Sequence, residues 1–259
     1  MTATAWSPAR CYALEAKYEF LKQVRMPAYA LPAITFPVMF YLLFGIMFGG
    51  ARSAGPTTVA TYMLATYGAF GVIGSALFGF GVGVAVERGQ GWMTLKRATP
   101  MPPLAYFIAK LAMAATFAGI IVALLSLTGV LFGSVRLPSA AWARLFGTLL
   151  LGAVPFCAIG LALGYFAGPN SSPAIVNLIY LPLSFASGLW IPIEMLPATI
   201  KNAAPWLPPY HLAQLALSAI GAGRGGATWA HALALAGFTL VGLGVALIGY
   251  RRGEDKTWG

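Results

Sequence analysis

Glu87-Arg88-Gly89-Gln90-Gly91-Trp92-Met93-Thr94-Leu95-Lys96-Arg97-Ala98-Thr99-Pro100-Met101-Pro102-Pro103 is the longest polar interruption in an otherwise apolar chain. One apolar run ends into it at Val86, and another begins near Leu104. Arg88, Lys96 and Arg97 are basic, and Lys110 follows soon after. Lys and Arg concentrate on the cytoplasmic side of membrane proteins, so this loop is expected to be cytoplasmic. From Gln90 to Ala98 its composition suits a short helix with apolar Trp92, Met93 and Leu95 beside basic Lys96 and Arg97. Thr99-Pro100 and Pro102-Pro103 end that helix, because a residue before proline is pushed out of the α region. A short helix between two spans is a handle for a partner protein. A solvated loop that merely fixes topology is the simpler reading of these residues alone.

The flanking runs decide the fold class. The chain is 59% hydrophobic and only 8% charged, against about a quarter charged in soluble domains. Spans of about 20 apolar residues are therefore expected, at about 29–49, 58–86, 104–132, 145–167, 174–190 and 229–250. Six spans place both termini on one side. With the N-terminus inside, Arg10, Lys17, Lys22, Arg25, Arg88, Lys96, Arg97, Lys110, Arg251, Arg252 and Lys256 are cytoplasmic, whereas Arg52, Arg136, Arg144, Lys201 and Arg224 are external. The bias sets both termini in the cytoplasm. The net charge of +10 is spread over loops and ends with no basic cluster interleaved with aromatics, which argues against nucleic-acid binding. It suits orientation in the membrane and contact with anionic headgroups.

Before the first span, residues 1–28 form a separate segment. Ser7-Pro8 has the form of a helix start, with Ser7 as N-cap. Cys11, Leu14, Tyr18 and Leu21 then recur at helical spacing, with Arg10, Lys17, Lys22 and Arg25 around the rest. This pattern predicts an amphipathic helix at the membrane surface, in preference to a helix packed on a soluble partner. The first apolar run is longer than a signal-peptide core and is expected to be retained. Residues 29–259 form one membrane domain. Between residues 191 and 228, five prolines accompany Trp206 and Tyr210, predicting short re-entrant or interfacial helices on the outer face rather than a soluble loop.

Chemistry is sparse. The centres of the expected spans lack Asp, Glu, Lys and Arg, which weakens a proton- or sodium-coupled carboxylate relay. His211 and His231 are the only histidines, and Cys11 and Cys157 the only cysteines; neither set has metal-ligand spacing. No catalytic residue and no metal site is expected. A phosphate-binding G-x-x-x-x-G-K-[ST] pattern is absent, so any ATP has to be bound by another chain. Small-residue pairs such as Gly79/Gly83 and Gly160/Gly164 permit close helix approach. Phe40 and Phe44 in the first span, with Asn177, Ser184 and Phe185 in the fifth, are the candidates for lining a greasy path; lipid contact and packing are the plainer reading of each.

Taken together, the N-terminal amphipathic helix, the six runs, the loop Glu87-Arg88-Gly89 … Leu95-Lys96-Arg97-Ala98-Thr99-Pro100, and the pair Ser187-Gly188-Leu189-Trp190-Ile191-Pro192 and Pro205-Trp206-Leu207-Pro208-Pro209-Tyr210 resemble the permease subunits of type-2 ATP-binding-cassette (ABC) exporters. The resemblance covers nearly the whole chain. It implies an all-α integral membrane fold of six transmembrane helices, with an N-terminal interfacial helix and short extracellular re-entrant helices before the last span. It implies that residues 87–103 hold a coupling helix docking on a cytoplasmic ABC ATPase, with Glu87, Gly91, Trp92, Leu95, Lys96, Arg97, Thr99 and Pro100 carrying the contact. Two ATPase copies, a second permease chain (identical or closely homologous) and a bacterial inner membrane are implied as well. ATP and Mg belong to the ATPase, with no cofactor on this chain. The first and fifth spans, with part of the second, would form the inner wall. The lack of a large outer domain argues against lipoprotein- or macrolide-handling exporters. The uncharged interior favours a drug, peptide, lipid or polyketide substrate over a free ion, and a polysaccharide less. The alternative from another class is a non-transporting scaffold or sensor that binds a cytoplasmic partner through the same loop.

Overall fold

Within hydrocarbon every backbone N–H and C=O has to be paired inside the protein, and a helix pairs them locally. The computed structural model describes residues 8–50, 52–54, 56–99, 101–223 and 226–254. Ser7, Pro100, Arg224 and Lys256 lie outside the described residues. Helix α1, Pro8–Val24, precedes α2, Pro27–Phe40, which starts on a proline and contains Pro32 and Pro37. Each interior proline removes a donor from the helical ladder, and the helix widens to π geometry over Tyr41–Met47. A minimal antiparallel pairing of Ser53–Ala54 with Thr57–Thr58 leads to Thr58, whose Oγ1 accepts from the Thr61 N–H and caps the next helix.

That helix is the axis of the bundle. Segment α3, Val59–Leu77, passes through a π-helical stretch, Phe78–Val82, into α4, Gly83–Gly89. Every residue from Ala60 to Leu77 is buried. Helices α6, Pro103–Phe132, α7, Ser139–Leu151, α8, Ala153–Phe166, α9, Ser172–Ala186, and α11, Pro208–Ala219, all pack on α3, as does α2. Between α4 and α6 stands the short α5, Trp92–Arg97, and between α9 and α11 the short α10, Ala198–Ala203. The last helix, α12, Thr228–Glu254, lies against α8 and α11. Large apolar side chains such as Leu240, Val241, Leu247 and Ile248 face outward from it, as a lipid-facing helix requires.

Among the described residues, five helical stretches are long and apolar enough to cross a membrane: Tyr29–Met47, Val59–Gly89, Leu104–Phe132, Ser139–Phe166 and Thr228–Arg252. The fifth expected span is shorter. Its helix α9 has 15 residues, or about 22 Å at about 1.5 Å per residue, against a hydrocarbon core of about 30 Å. Gly188 ends that segment, at a φ of +75°. The second span, by contrast, runs three residues past Val86 to Gly89, so Glu87 is helical and the loop proper begins at Gln90.

Between the fifth and last expected spans the short helices are present, with 3₁₀ turns at Ile193–Met195 and Ala204–Trp206. Helix α11 is not superficial. Leu212, Ala213, Ala216 and Leu217 are buried, and a Cβ at Gly152, the joint of α7 and α8, would stand 2.2 Å from Leu212 Cδ1.

The glycine pairs act as packing surfaces. A Cβ at Gly164 would meet Gly81 O at 2.9 Å and Phe80 O at 3.0 Å, both backbone. The main chains of α8 and the π-helical segment thus come closer than any side chain would allow.

Candidate functional site

The polar loop springs from a knot of buried charge. Glu87, in the last turn of α4, is buried, as are Glu19 of α1 and Lys110 of α6. Lys110 Nζ donates to Glu19 Oε1 at 2.6 Å and to Glu87 Oε1 at 3.1 Å. Lys22 Nζ donates to both Glu19 oxygens at 2.8 Å and also to Glu87 Oε1. Tyr106 OH donates to the remaining Glu87 oxygen at 2.6 Å. The two carboxylates face two ammonium groups, so the group is neutral as a whole, and its dense pairing offsets the cost of removing ions from water. Burial disfavours charge on Lys22, but Glu87 and then Glu19 outweigh it and hold the lysine pKa above its ordinary 10.5. Gly83 makes room: a Cβ there would stand 3.2 Å from Lys110 Nζ.

A second pair fixes the loop itself. Lys96 of α5 binds Glu15 of α1, and its Nζ lies 4.6 Å from the centroid of the Tyr106 ring, an arrangement that adds a cation–π attraction. Arg88 donates through one terminal nitrogen to Gly164 O at 2.8 Å and Tyr165 O at 2.6 Å, satisfying carbonyls that the end of α8 leaves open. The Tyr165 ring in turn meets Tyr250 of α12 at 5.8 Å. Helices α1, α4, α5, α6, α8 and α12 therefore converge at the loop end of the bundle, and the ends of the first and last helices lie at that same end.

The expected coupling residues divide accordingly. Gly91 sits at a φ of +74° with open space around it, reversing the chain after α4. Met93 packs inward, whereas Trp92 is 47% and Leu95 68% exposed. Thr99 Oγ1 donates to Lys96 O at 2.7 Å, closing the end of α5, of which Arg97 is the last residue. Glu87 and Lys96 are consumed by internal ion pairs. They hold the loop, while Trp92 and Leu95 are the side chains it presents. Sequence reading missed Glu15, Glu19, Lys22 and Tyr106 as members of this cluster and took Lys110 only as a topology signal. A lysine inside an apolar run needs a carboxylate, and the Glu15/Glu19 spacing on one helix face was the available clue.

The path candidates lie elsewhere. Phe40 stacks with Phe44 and Tyr67 at centroid distances of 6.2 and 6.5 Å, and meets Trp190 at 5.6 Å, where Phe185 also packs at 6.4 Å. Three of the five candidates thus share one aromatic cluster, with Phe44 and Phe185 partly exposed at its edge. Asn177 is exposed on α9, and Ser184 is fully buried with no partner for its Oγ among the described residues. Among the described residues no group of three metal-ligating side chains occurs.

A bundle of long apolar helices with one ion-anchored polar helix at its end defines a multi-pass integral membrane protein. The family described as ABC-2 type transporter matches residues 12–221, most of the chain and the whole of the anchored loop, and the chain belongs to that family. It is also 26% identical over 224 residues to the Bacillus subtilis (strain 168) protein named "Putative transport permease YvfS", across 86% of this chain and 90% of that one.

Proposed function

We propose that this chain is the membrane permease subunit of an ATP-driven exporter, working with a separate cytoplasmic ATPase. The observation that carries this reading is α5: its root is locked by Lys96 and by Glu87, while Trp92 and Leu95 point away from the chain's own core. A rigidly rooted helix with an apolar tip transmits force from whatever grips the tip. Family membership in the ABC-2 type transporters supports an ABC ATPase as that partner. In this reading α9, with the turn that follows it, serves as the sixth crossing, α11 is re-entrant, and α1 lies at the cytoplasmic surface. Both termini and the loop are cytoplasmic, in a bacterial inner membrane. Two permease copies enclose the path and two ATPases bind ATP and Mg; the aromatic cluster around Phe40 and Trp190 suits a hydrophobic or amphipathic substrate.

The test is purification of the tagged protein from its native membranes, with mass spectrometry of the chains that accompany it. A stoichiometric ABC ATPase supports the exporter. Permease alone, even after gentle crosslinking, overturns it in favour of a scaffold or sensor.

A further inference from the structure

The end of the bundle away from the polar loop holds the chain's only two histidines, His211 and His231. They stand 20 residues apart in sequence, outside any metal-ligand spacing. Each lies in the first turns of its helix, His211 on α11 and His231 on α12. Along α12, His231 is about 28 Å from Tyr250 at the loop end. In space the two rings meet. Their Nδ1 atoms face each other at 2.9 Å, and their centroids are 5.1 Å apart. His211 Nε2 lies 3.0 Å from Pro205 O. A carbonyl only accepts, so His211 carries its proton on Nε2 and turns the Nδ1 lone pair toward His231. The Tyr210 ring packs on both imidazoles at 5.6 and 5.8 Å, and Phe238 on His211 at 6.2 Å. His231 is buried, whereas His211 is only half-buried and leaves the pair open from its own side.

A metal-ligating histidine characteristically gives its second ring N–H to a backbone carbonyl, which fixes the tautomer and aims the free nitrogen. His211 has that arrangement. We propose that His211 and His231 bind Zn²⁺ through their two Nδ1 atoms, clipping α11 to α12. Bonds of about 2.0–2.1 Å at a tetrahedral angle set two nitrogens about 3.3 Å apart, so the rings tilt and their Nδ1 atoms part by about 0.4 Å. His231 moves its proton from Nδ1 to Nε2; both imidazoles stay neutral and no proton is released. Mg²⁺ and Ca²⁺ take oxygen ligands and do not fit a pair of nitrogens. Two protein ligands leave the other positions to water, so the site is open, with a dissociation constant on the order of 10 µM. The first turns of both helices oppose a cation, but that dipole effect is weaker than a coordinate bond. The exposed Glu194 carboxylate, close enough to act on the Tyr210 hydroxyl, offsets it further. Residues 220–227, which join the two helices, include four glycines, and a metal clip across so flexible a connection restricts it most.

The experiment uses the full chain, purified on a histidine-free tag into detergent micelles and stripped with a chelator. Calorimetric titration with Zn²⁺ is compared with that of the His211→Asn, His231→Asn double variant, which accounts for Cys11 and any terminal group. Asparagine places a polar atom near the Nδ1 position, so the link between the helices is kept while the imidazoles are lost. One Zn²⁺ per chain above the double variant is expected, and each single variant is expected to bind about 100-fold more weakly. Zn²⁺ is also expected to slow hydrogen exchange over residues 208–219 in the native protein alone. A second measurement needs no variant. Cu²⁺, which such a site holds more tightly, is expected to show two imidazole nitrogens by electron paramagnetic resonance and to be displaced by excess Zn²⁺. With only two histidines in the chain, that signal reports this pair. Equal Zn²⁺ binding by the native protein and the double variant, or a Cu²⁺ signal with fewer than two imidazoles, would overturn the proposal and leave the pair as a hydrogen bond alone. No arm involves ATP or an ATPase, so the result stands apart from the exporter reading.

Discussion

Lys110 Nζ lies 2.6 Å from Glu19 Oε1, tying the N-terminal helix to the third span across 91 residues of sequence. Lys110 is fully buried. Removing its charge leaves two buried carboxylates sharing Lys22, and breaking a buried ionic group from one side costs about 3–5 kcal/mol. Lys110→Met is expected to lower stability by that order in denaturant unfolding from mixed micelles. The double variant Glu19→Gln, Lys110→Met removes one charge of each sign and leaves Glu87 with Lys22. It is expected to be clearly more stable than the sum of the single losses, the mark of direct coupling. Simple additivity would show that the ions do not act as a unit.

Gly164 tests the close approach of α8 to the second span. An added methyl would meet the carbonyl oxygens of Gly81 and Phe80, and backbone cannot step aside as a side chain end can. Gly164→Ala is expected to cost about 1–3 kcal/mol from overpacking. Gly147 on α7 has nothing within 4 Å of its added Cβ, so Gly147→Ala is expected to be neutral or to stabilise by about 0.5–1 kcal/mol through helix propensity. Thermal unfolding of the two variants side by side checks the difference. Equal effects would contradict the packing argument.

At the opposite end, His211 Nδ1 faces His231 Nδ1 at 2.9 Å, and His211 Nε2 lies 3.0 Å from Pro205 O. A carbonyl only accepts, so His211 carries its proton on Nε2 and accepts from His231 at Nδ1. Burial, then the neighbouring His231, lower the His211 pKa below 6.5, with the Pro205 carbonyl opposing. The unfolded chain takes up this proton near 6.5 while the folded chain resists it. The contribution is therefore whole above 6.5 and declines as pH falls from there toward the lowered folded value. Unfolding temperatures on either side of that window are expected to drop for the native protein and to drop less for His211→Phe. An equal drop would remove His211 as the cause.

Much of the architecture was legible because the bilayer imposes one simple pattern. The third span was expected at 104–132 and is apolar helix over Leu104–Phe132, and a short helix was expected within Gln90–Ala98, where α5 stands. Boundaries failed where charge overrode hydropathy. Glu87 looked like the start of a solvated loop, yet the ammonium groups of Lys22 and Lys110 neutralise it, the Tyr106 hydroxyl donates to it, and it stays helical and buried. On α1 the stripe of Cys11, Leu14, Tyr18 and Leu21 shares one face by spacing; Leu14 and Tyr18 are exposed, while Glu19, off that stripe, is buried. Near a membrane, the outward face of a helix is itself apolar, so periodicity locates a stripe without saying which side it faces. The pairing of Glu19 with Lys110 joins stretches 91 residues apart: a lysine in an apolar run signals that a carboxylate is needed without saying which one.

The most direct measurement of the central claim is photocrosslinking from Trp92 and Leu95, each replaced in turn by a photoreactive residue, in the protein's native membranes. Both side chains are exposed and make no internal ion pair, so the replacements leave the fold's anchors intact. An ABC ATPase covalently joined at both positions is the expected product, with no such adduct from a photoreactive residue at Tyr18. Protein at native abundance that yields no ATPase adduct from Trp92 or Leu95 would contradict the coupling role of the loop.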